Sequence, residues 1–349
     1  MSLYTEYLKR YPELVRCLEN ARASGRFAHS FLIHSPNEKI RREFAVVLAQ
    51  IAGCKDGKNG RPDVHCRFCK QIENGNYSDM HSLTPVGKMY QIKVGDRTNP
   101  EPNTLRDLLD HLGYTSGTHR KFGLIEEADR MNTEAQNALL KTLEEPPPDT
   151  TLILTTGNPC SLLPTTRSRC QMLPLPDNCF TFDFSGFDET REALFDLCFN
   201  CGNDLSKVEE STQKLLAVAA NLANDAELSA EQLYAETIEA AKRSEDSVII
   251  KRAESRLNDA ASGAYIRQRG KFLAAITGFC SQIFLLSSGV DIKELPNPEL
   301  FSRLTLPAEI TPERGSIILK EAEELEYTLR FNVNDELALR TFAINVATK

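Results

Sequence analysis

The sequence predicts an α/β domain with a parallel sheet, followed by a half made only of helices. Two observations carry this reading. Up to about residue 180, short apolar runs alternate with helical patterns, and strands separated by helices build a parallel sheet covered by those helices. Beyond about residue 180 the strand-type runs stop and helical periodicity takes over.

Phe31-Leu32-Ile33 is a short buried-strand run, and the segment "HSPNEKIRREFA" after it turns into a helical pattern. A second run, "FGLI", covers Phe122 to Ile125, and a third, "TLILTT", covers Thr151 to Thr156. Between them, "NTEAQNALLKTLEEPPP" places Ala135, Ala138, Leu139 and Leu143 on one helical face. Thr133 and Gln136 fit a capping box at its start, and Pro146-Pro147-Pro148 stops it. Further on, "ETREALFDLCFNCG" and the acidic stretch from Glu209 to Glu245 have the pattern of solvated surface helices. Three amphipathic stripes follow. They are Phe272, Ile276, Phe279, Ile283 and Leu286; then Ile318, Ala322, Leu325 and Leu329; then Leu339, Phe342, Ala343 and Val346. Such stripes are expected to form helix-on-helix core, with a subunit interface as the alternative. No internal repeat and no low-complexity linker marks a domain edge.

Composition narrows the function classes. The 349 residues suit two or three domains, and 41% hydrophobic with 26% charged residues suits a soluble protein with a real core. The start "MSLYTEYLKRYPE" has no apolar signal region, and no run of about 18 apolar residues suggests a membrane span, so a cytosolic protein is expected. A net charge of −8 argues against a coat for non-specific nucleic-acid binding, which needs clustered Lys and Arg. In a reducing cytosol the ten cysteines read as metal ligands where clustered and as core residues where scattered.

"FAHSFLIHS", a cysteine cluster, and "FGLIEEADRMNTEAQNALLKTLEEPPPDTTLILTTGNPCSLLPTTRSRCQMLPL" follow one another in an order that resembles the AAA+ subunits of the bacterial DNA polymerase III clamp loader. The blocks "NALLKTLEEPP" and "LLPTTRSRC" are highly specific to that family. The resemblance is close over residues 26 to 175, and "LEYTLRFNVNDELAL" (325 to 339) is similar to the last helices of the family's collar. It implies a RecA-like AAA+ domain at 1–179 with a zinc module near 53–72, a helical lid at 180–240 and a helical collar at 241–349. Within the family the delta-prime subunit is the nearest type, for the reasons that follow.

A phosphate loop works because backbone N–H groups converge on phosphate oxygens, with a lysine for the terminal phosphates and a hydroxyl for magnesium. Laying that motif on the first loop puts Ser35 and Ile40 at its glycines, Arg41 at its lysine and Arg42 at its hydroxyl. Guanidinium has no acceptor and cannot hold magnesium, and Ile40 adds a β-branched side chain where the backbone must wrap closely. No nucleotide is expected here. After "FGLI" the family's ATPases carry Asp-Glu, whereas this chain has Glu126-Glu127; with Asp129 they are expected to form an exposed acidic turn. Thr155 and Thr156 lie at the family's sensor position, where without nucleotide they are expected to serve structure.

In "LLPTTRSRC" the resemblance assigns Ser168-Arg169-Cys170 as the family's arginine-finger motif, with Arg169 acting on a neighbouring subunit's ATP and Arg167 beside it outside the motif. A planar fork of donors suits the charge that spreads over a transferring phosphoryl group. The other site is "CKDGKNGRPDVHCRFCK", a Gly- and Lys-rich loop with little core of its own, which a tetrahedral zinc would fold. Cys54, Cys66 and Cys69 supply three ligands, and the family pattern has four cysteines. Asp63 stands three before Cys66 and completes the set by spacing. His65 is the better ligand chemically but adjoins Cys66, so Asp63 is favoured narrowly. The remaining cysteines, 17, 160, 170, 179, 198, 201 and 280, are read as small buried hydrophobes. The histidines suggest no catalytic pairing.

The expectation is a non-hydrolysing clamp-loader subunit, not catalytic alone. Its partners would be ATP-binding subunits, a clamp-opening delta subunit, the sliding clamp and, through the complex, primed DNA, with no membrane. The alternatives are an ATP-binding loader subunit with a divergent phosphate loop, and a stand-alone zinc-binding nucleic-acid module.

Overall fold

The chain begins with two short helices, α1 (Leu3–Arg10) and α2 (Pro12–Ala23), ahead of β1 (Ser30–His34), α3 (Glu38–Gly53) and α4 (Arg67–Glu73). Then come β2 (Met80–Leu83), α5 (Leu105–Gly113), β3 (Lys121–Ile125), α6 (Thr133–Glu144), β4 (Thr150–Thr156), α7 (Pro164–Ser168) and β5 (Gln171–Pro174). Helices alone follow: α8 (Phe187–Phe195), α9 (Leu205–Arg243), α10 (Ser247–Ser287), α11 (Pro312–Thr328) and α12 (Asp335–Thr348), with short 3-10 and π turns between. The computed structural model describes residues 2–87, 89–96, 101–114, 119–176, 184–243, 247–301, 310–329 and 333–348. The chain divides into two units, one of residues 1–86 and 90–177, the other of 87–89 and 178–349.

In the first unit the strands form a parallel sheet ordered β2-β3-β4-β1-β5. Alternate residues of each strand face opposite sides, and the sequence supplies apolar residues to both. Phe31, Ile33, Phe122 and Ile153 join Phe44 and Leu48 of α3 in one core. Leu32, Leu152 and Leu154 join Leu105, Leu108, Leu139 and Leu143 of α5 and α6 in another. The central strands are therefore buried on both faces, and β3 and β4 are buried at every residue. The helix after "FGLI" starts one residue earlier than a capping box at Thr133 requires. Asn132 is its cap, Oδ1 accepting from Ala135 N–H at 2.8 Å, and Thr133 is its first helical residue. Gln136 is freed for another use, described below.

Among the described residues, the second unit has one apolar cluster, running from Ala193 to Ala347. All three stripes lie in it: Phe272, Ile276, Phe279 and Ile283 are buried with Leu286 packed against them, as are Ile318, Ala322, Leu325 and Leu329, and Leu339, Phe342, Ala343 and Val346. Helices read as solvated surface share this core in part; α9 beyond Leu222 is largely exposed as expected, with Ala226 and Ala230 buried. Ala193, Leu194, Phe195, Leu197, Cys198 and Cys201 are buried, and so are Val208, Leu215, Val218 and Leu222 of α9. Within α10, Ala253–Ser287 contains a window apolar and long enough to cross a membrane. That window is 56% buried inside the protein, as for a core helix.

Candidate functional site

The loop after β1 is filled by the chain itself. Asn37 caps α3, its Oδ1 accepting from Lys39 N–H at 3.0 Å and Ile40 N–H at 3.4 Å, so these first-turn donors are already engaged. Ile40 and Ser35 are buried. Arg41 is only 7% exposed and folds back over the loop, Nη1 donating to the carbonyls of Ser35 at 2.5 Å and Pro36 at 3.1 Å. Gly157 makes room for it, since a Cβ there would lie 3.3 Å from that nitrogen.

Arg42 turns the other way. Its Nε lies 2.7 Å from Glu126 Oε2, and its Nη1 lies 3.7 Å from Glu38 Oε1. The residue at the hydroxyl position thus forms an ion pair with the first carboxylate after β3. The acidic turn is not exposed, contrary to expectation. Glu126 and Glu127 side chains are 13% and 17% accessible, and each carboxylate has a partner. Tyr90 donates its hydroxyl to Glu127 Oε1 at 2.5 Å, with Arg130 lying over the Tyr90 ring. Burial pushes the Glu127 carboxyl up, opposed by the Tyr90 hydrogen bond and the Arg130 charge. Glu127 has φ +49°, and its N–H donates to Thr155 Oγ1 at 3.2 Å. Thr156 donates to Asp129 Oδ1 at 2.7 Å. Both threonines fasten the acidic turn to β4.

Arg169 ends α7. Gln136 holds the start of that helix: its Oε1 accepts from Leu163 N–H at 2.7 Å, and its Nε2 donates to Met131 C=O at 3.1 Å. The Arg169 side chain, 33% exposed, lies along the surface. Nε donates to Glu144 Oε1 at 2.6 Å and Nη1 to Thr165 C=O at 3.0 Å, with Nη2 against the same carboxylate. Ser168 is exposed and donates to Thr165 C=O at 3.1 Å. Cys170 is buried, which pushes its thiol up to about 12. Arg167 is half-buried within α7.

Cys54, Cys66 and Cys69 come together, their sulfurs all within 4.8 Å of one another and Cys54 to Cys66 at 3.8 Å. Zinc–sulfur bonds of about 2.3 Å in a tetrahedron put sulfurs roughly 3.8 Å apart, so the cluster fits the ion. Desolvation raises the Cys66 and Cys69 thiols, and a metal would be needed to hold them as thiolates. The side chain of Asp63 turns back on its own loop, Oδ1 accepting from His65 N–H at 3.0 Å, while its N–H points at Cys54 Sγ at 3.2 Å. The loop has more support than its composition suggests. Gly60, at φ +77°, packs so closely on Glu19 C=O that a Cβ would sit 1.9 Å from it. Arg61 pairs with Glu19 at 3.1 Å, and Phe68 packs on Tyr77, His119 and Phe122. Of the other cysteines, 170, 198, 201 and 280 are buried as expected, but Cys17 and Cys160 are exposed; Cys179 lies outside the described residues.

Sequence reasoning missed Tyr90, Gln136 and Glu144 as members of these sites. Only Glu144 carried a signal, as part of "LLKTLEEPP".

A parallel sheet with a strand–loop–helix seat at β1, an acidic turn after β3 and an arginine after α7 is the arrangement expected of an AAA+ domain. Residues 11–178 match the family described as "DNA polymerase III, delta subunit". Two relatives are DNA polymerase III subunits delta-prime. The one from Bacillus subtilis is 36% identical over 47% of this chain and 46% of its own length. The one from Pseudomonas aeruginosa is 34% identical over 49% of this chain and 51% of its own length. The tau subunit of Bacillus subtilis is 31% identical over 45% of this chain and 26% of its own length. Among solved structures, a gamma subunit-related protein of Thermotoga maritima aligns over 97% of this chain and 98% of its own, at 17% identity and a TM-score of 0.37. The chain spans about half the length of the delta-prime relatives it matches. Over residues 11–178, a little under half of the chain, it is thus similar to that family and to delta-prime subunits of bacterial DNA polymerase III.

Proposed function

We propose that the chain is the non-hydrolysing, delta-prime-type subunit of a cytoplasmic clamp loader. It assembles with ATP-binding subunits and a clamp-opening subunit to place the sliding clamp on primed DNA, and contributes Arg169 to a neighbour's ATP. The observation that carries this reading is the filled seat. Arg41 takes the space and Arg42 takes the carboxylate that a magnesium nucleotide would need. An ATP-binding role would require both arginines to leave, with no glycine to let the backbone wrap the phosphates. Arg169 fits a trans role because its guanidinium lies at the surface, held by one carboxylate that a more highly charged phosphate can displace.

Cys54, Cys66 and Cys69 are the proposed zinc ligands, with Asp63 fourth after a side-chain rotation away from His65 N–H. Zinc would supply structure rather than chemistry, tying the loop to α4. Residues 180–240 and 241–349 are proposed as lid and collar, although they share one apolar cluster here. The test has two arms. Calorimetry of the purified chain with ATP and magnesium should give no binding, and micromolar affinity would reject the non-nucleotide reading. In a reconstituted loader, Arg169→Ala should lower DNA-stimulated ATPase while leaving assembly intact; an unchanged rate would reject the finger.

A further inference from the structure

Glu144 closes α6, and its carboxylate stands where the helix itself gives it no support. The C-terminal end of a helix carries partial negative charge, which disfavours an acidic side chain there. Its partner comes from elsewhere. Arg169, 25 residues on, donates from Nε to Glu144 Oε1 at 2.6 Å, and Nη2 lies against the same oxygen. One carboxylate oxygen therefore takes the whole Nε–Nη2 edge of the guanidinium, an edge with which arginine grips carboxylates and phosphates. Nη1 donates to Thr165 C=O at 3.0 Å, one turn back on α7.

These bonds fold the Arg169 side chain back along its own helix and towards the end of α6, with three of its five N–H donors spent within the chain. That edge cannot grip a phosphate until Glu144 releases it. The pair is also placed to release. Its two side chains are 33% and 50% accessible, and an exposed ion pair is held only weakly against solvent. The backbone beneath it is fixed: Leu143, next to Glu144, is buried, and Gln136 anchors the start of α7.

We propose that Glu144 is a positioning residue that parks Arg169 and makes its release depend on the nucleotide in the neighbouring subunit. This rests on the trans role of Arg169 proposed above. The guanidinium exchanges between two anionic partners, and the exchange goes only as far as the difference in their hold on it. A γ-phosphate carries more charge than a carboxylate and offers three oxygens, so it draws the guanidinium off. Once the γ-phosphate has gone, Glu144 takes the guanidinium back. The finger is thereby withheld from an empty or diphosphate-filled neighbour, and turnover without DNA is suppressed.

The test uses the reconstituted loader and the free chain. Glu144→Gln keeps the size and an acceptor but removes the charge. ATPase without DNA should rise at least about threefold, with assembly unchanged and the DNA-stimulated rate within about twofold of the parent. Glu145→Gln makes the same charge change at the next exposed residue and should leave the DNA-free rate alone. Glu144→Gln combined with Arg169→Ala should match Arg169→Ala alone, because Glu144 acts only through the arginine. In the free chain, NMR of the Arg169 Nε–H should show exchange with water at least about threefold faster in Glu144→Gln. A DNA-free rate that does not rise in Glu144→Gln, while Arg169→Ala still slows the stimulated rate, would overturn the parking role and leave the finger standing. Equal Nε–H exchange in parent and Glu144→Gln would overturn it as well. A stimulated rate untouched by Arg169→Ala would remove the finger and the parking role together.

Discussion

Gln136→Leu isolates the contact that sets the position of α7. Gln136 is 3% exposed and bridges three segments. Its Oε1 accepts from Leu163 N–H at 2.7 Å and lies 3.5 Å from Thr166 Oγ1, while Nε2 donates to Met131 C=O at 3.1 Å. Leucine fills nearly the same volume but leaves the Leu163 N–H and the Met131 carbonyl without these partners. At about 1–3 kcal/mol for each group left unsatisfied, the first unit should lose about 2–4 kcal/mol. Gln136→Glu keeps the acceptor but sets a carboxylate oxygen against the Met131 carbonyl in the same buried site, so it should cost at least as much as the leucine. The assay is urea unfolding followed by hydrogen exchange of amides in β4 and α7, which report the first unit alone. Exchange at Leu163 N–H should quicken most. A loss below about 0.5 kcal/mol in Gln136→Leu, with Leu163 exchange unchanged, would refute the reasoning and show that solvent replaces the side chain.

The remaining predictions concern the filled seat, the metal and pH. Arg42→Ala should destabilise the first unit by about 0.5–1.5 kcal/mol, discounted because Arg42 is 58% exposed. In a double-mutant cycle, adding Glu126→Ala should recover part of that loss; strict additivity would mean the pair contributes nothing. Stripping metal with a chelator should speed amide exchange from Cys54 to Cys69, and Cys66→Ser should reproduce the effect without chelator; equal exchange would argue against zinc. Burial holds Cys170 and Cys198 at about 12 against 9.0 for a free thiol. The unfolded chain therefore loses these protons first, and stability should fall as pH rises from about 9 towards 12. Cys170→Ala should flatten that slope for the first unit, measured by urea melts at stepped pH.

The centre of the sheet was legible because β3 and β4 are buried on both faces, which leaves continuous apolar runs in the sequence. The edge strand β2 was not, since only Leu83 of its four residues is buried and "MHSL" has no strand signature. The arginine at 169 and the three cysteines were readable from spacing and motif. Their surroundings were not. Glu144 lies 25 residues from Arg169, Tyr90 lies 37 from Glu127, and a partner chosen by the fold leaves no periodicity behind. The acidic turn was read as exposed because carboxylates usually are, and the arginine that covers Glu126 comes from the first turns of α3.

The Arg42–Glu126 pair also constrains how this sequence can change. Restoring a small hydroxyl residue at 42 would strand a mostly enclosed carboxylate, whereas the exposed guanidinium tolerates losing Glu126 far better. Arg41 adds a second barrier, because a lysine there has neither the planar fork nor the reach to hold the Ser35 and Pro36 carbonyls in the same way. Losing either arginine alone therefore gives a less stable protein whose loop still has no glycine to wrap a phosphate. The loop behaves as a ratchet in sequence space, permitting drift onward but resisting return.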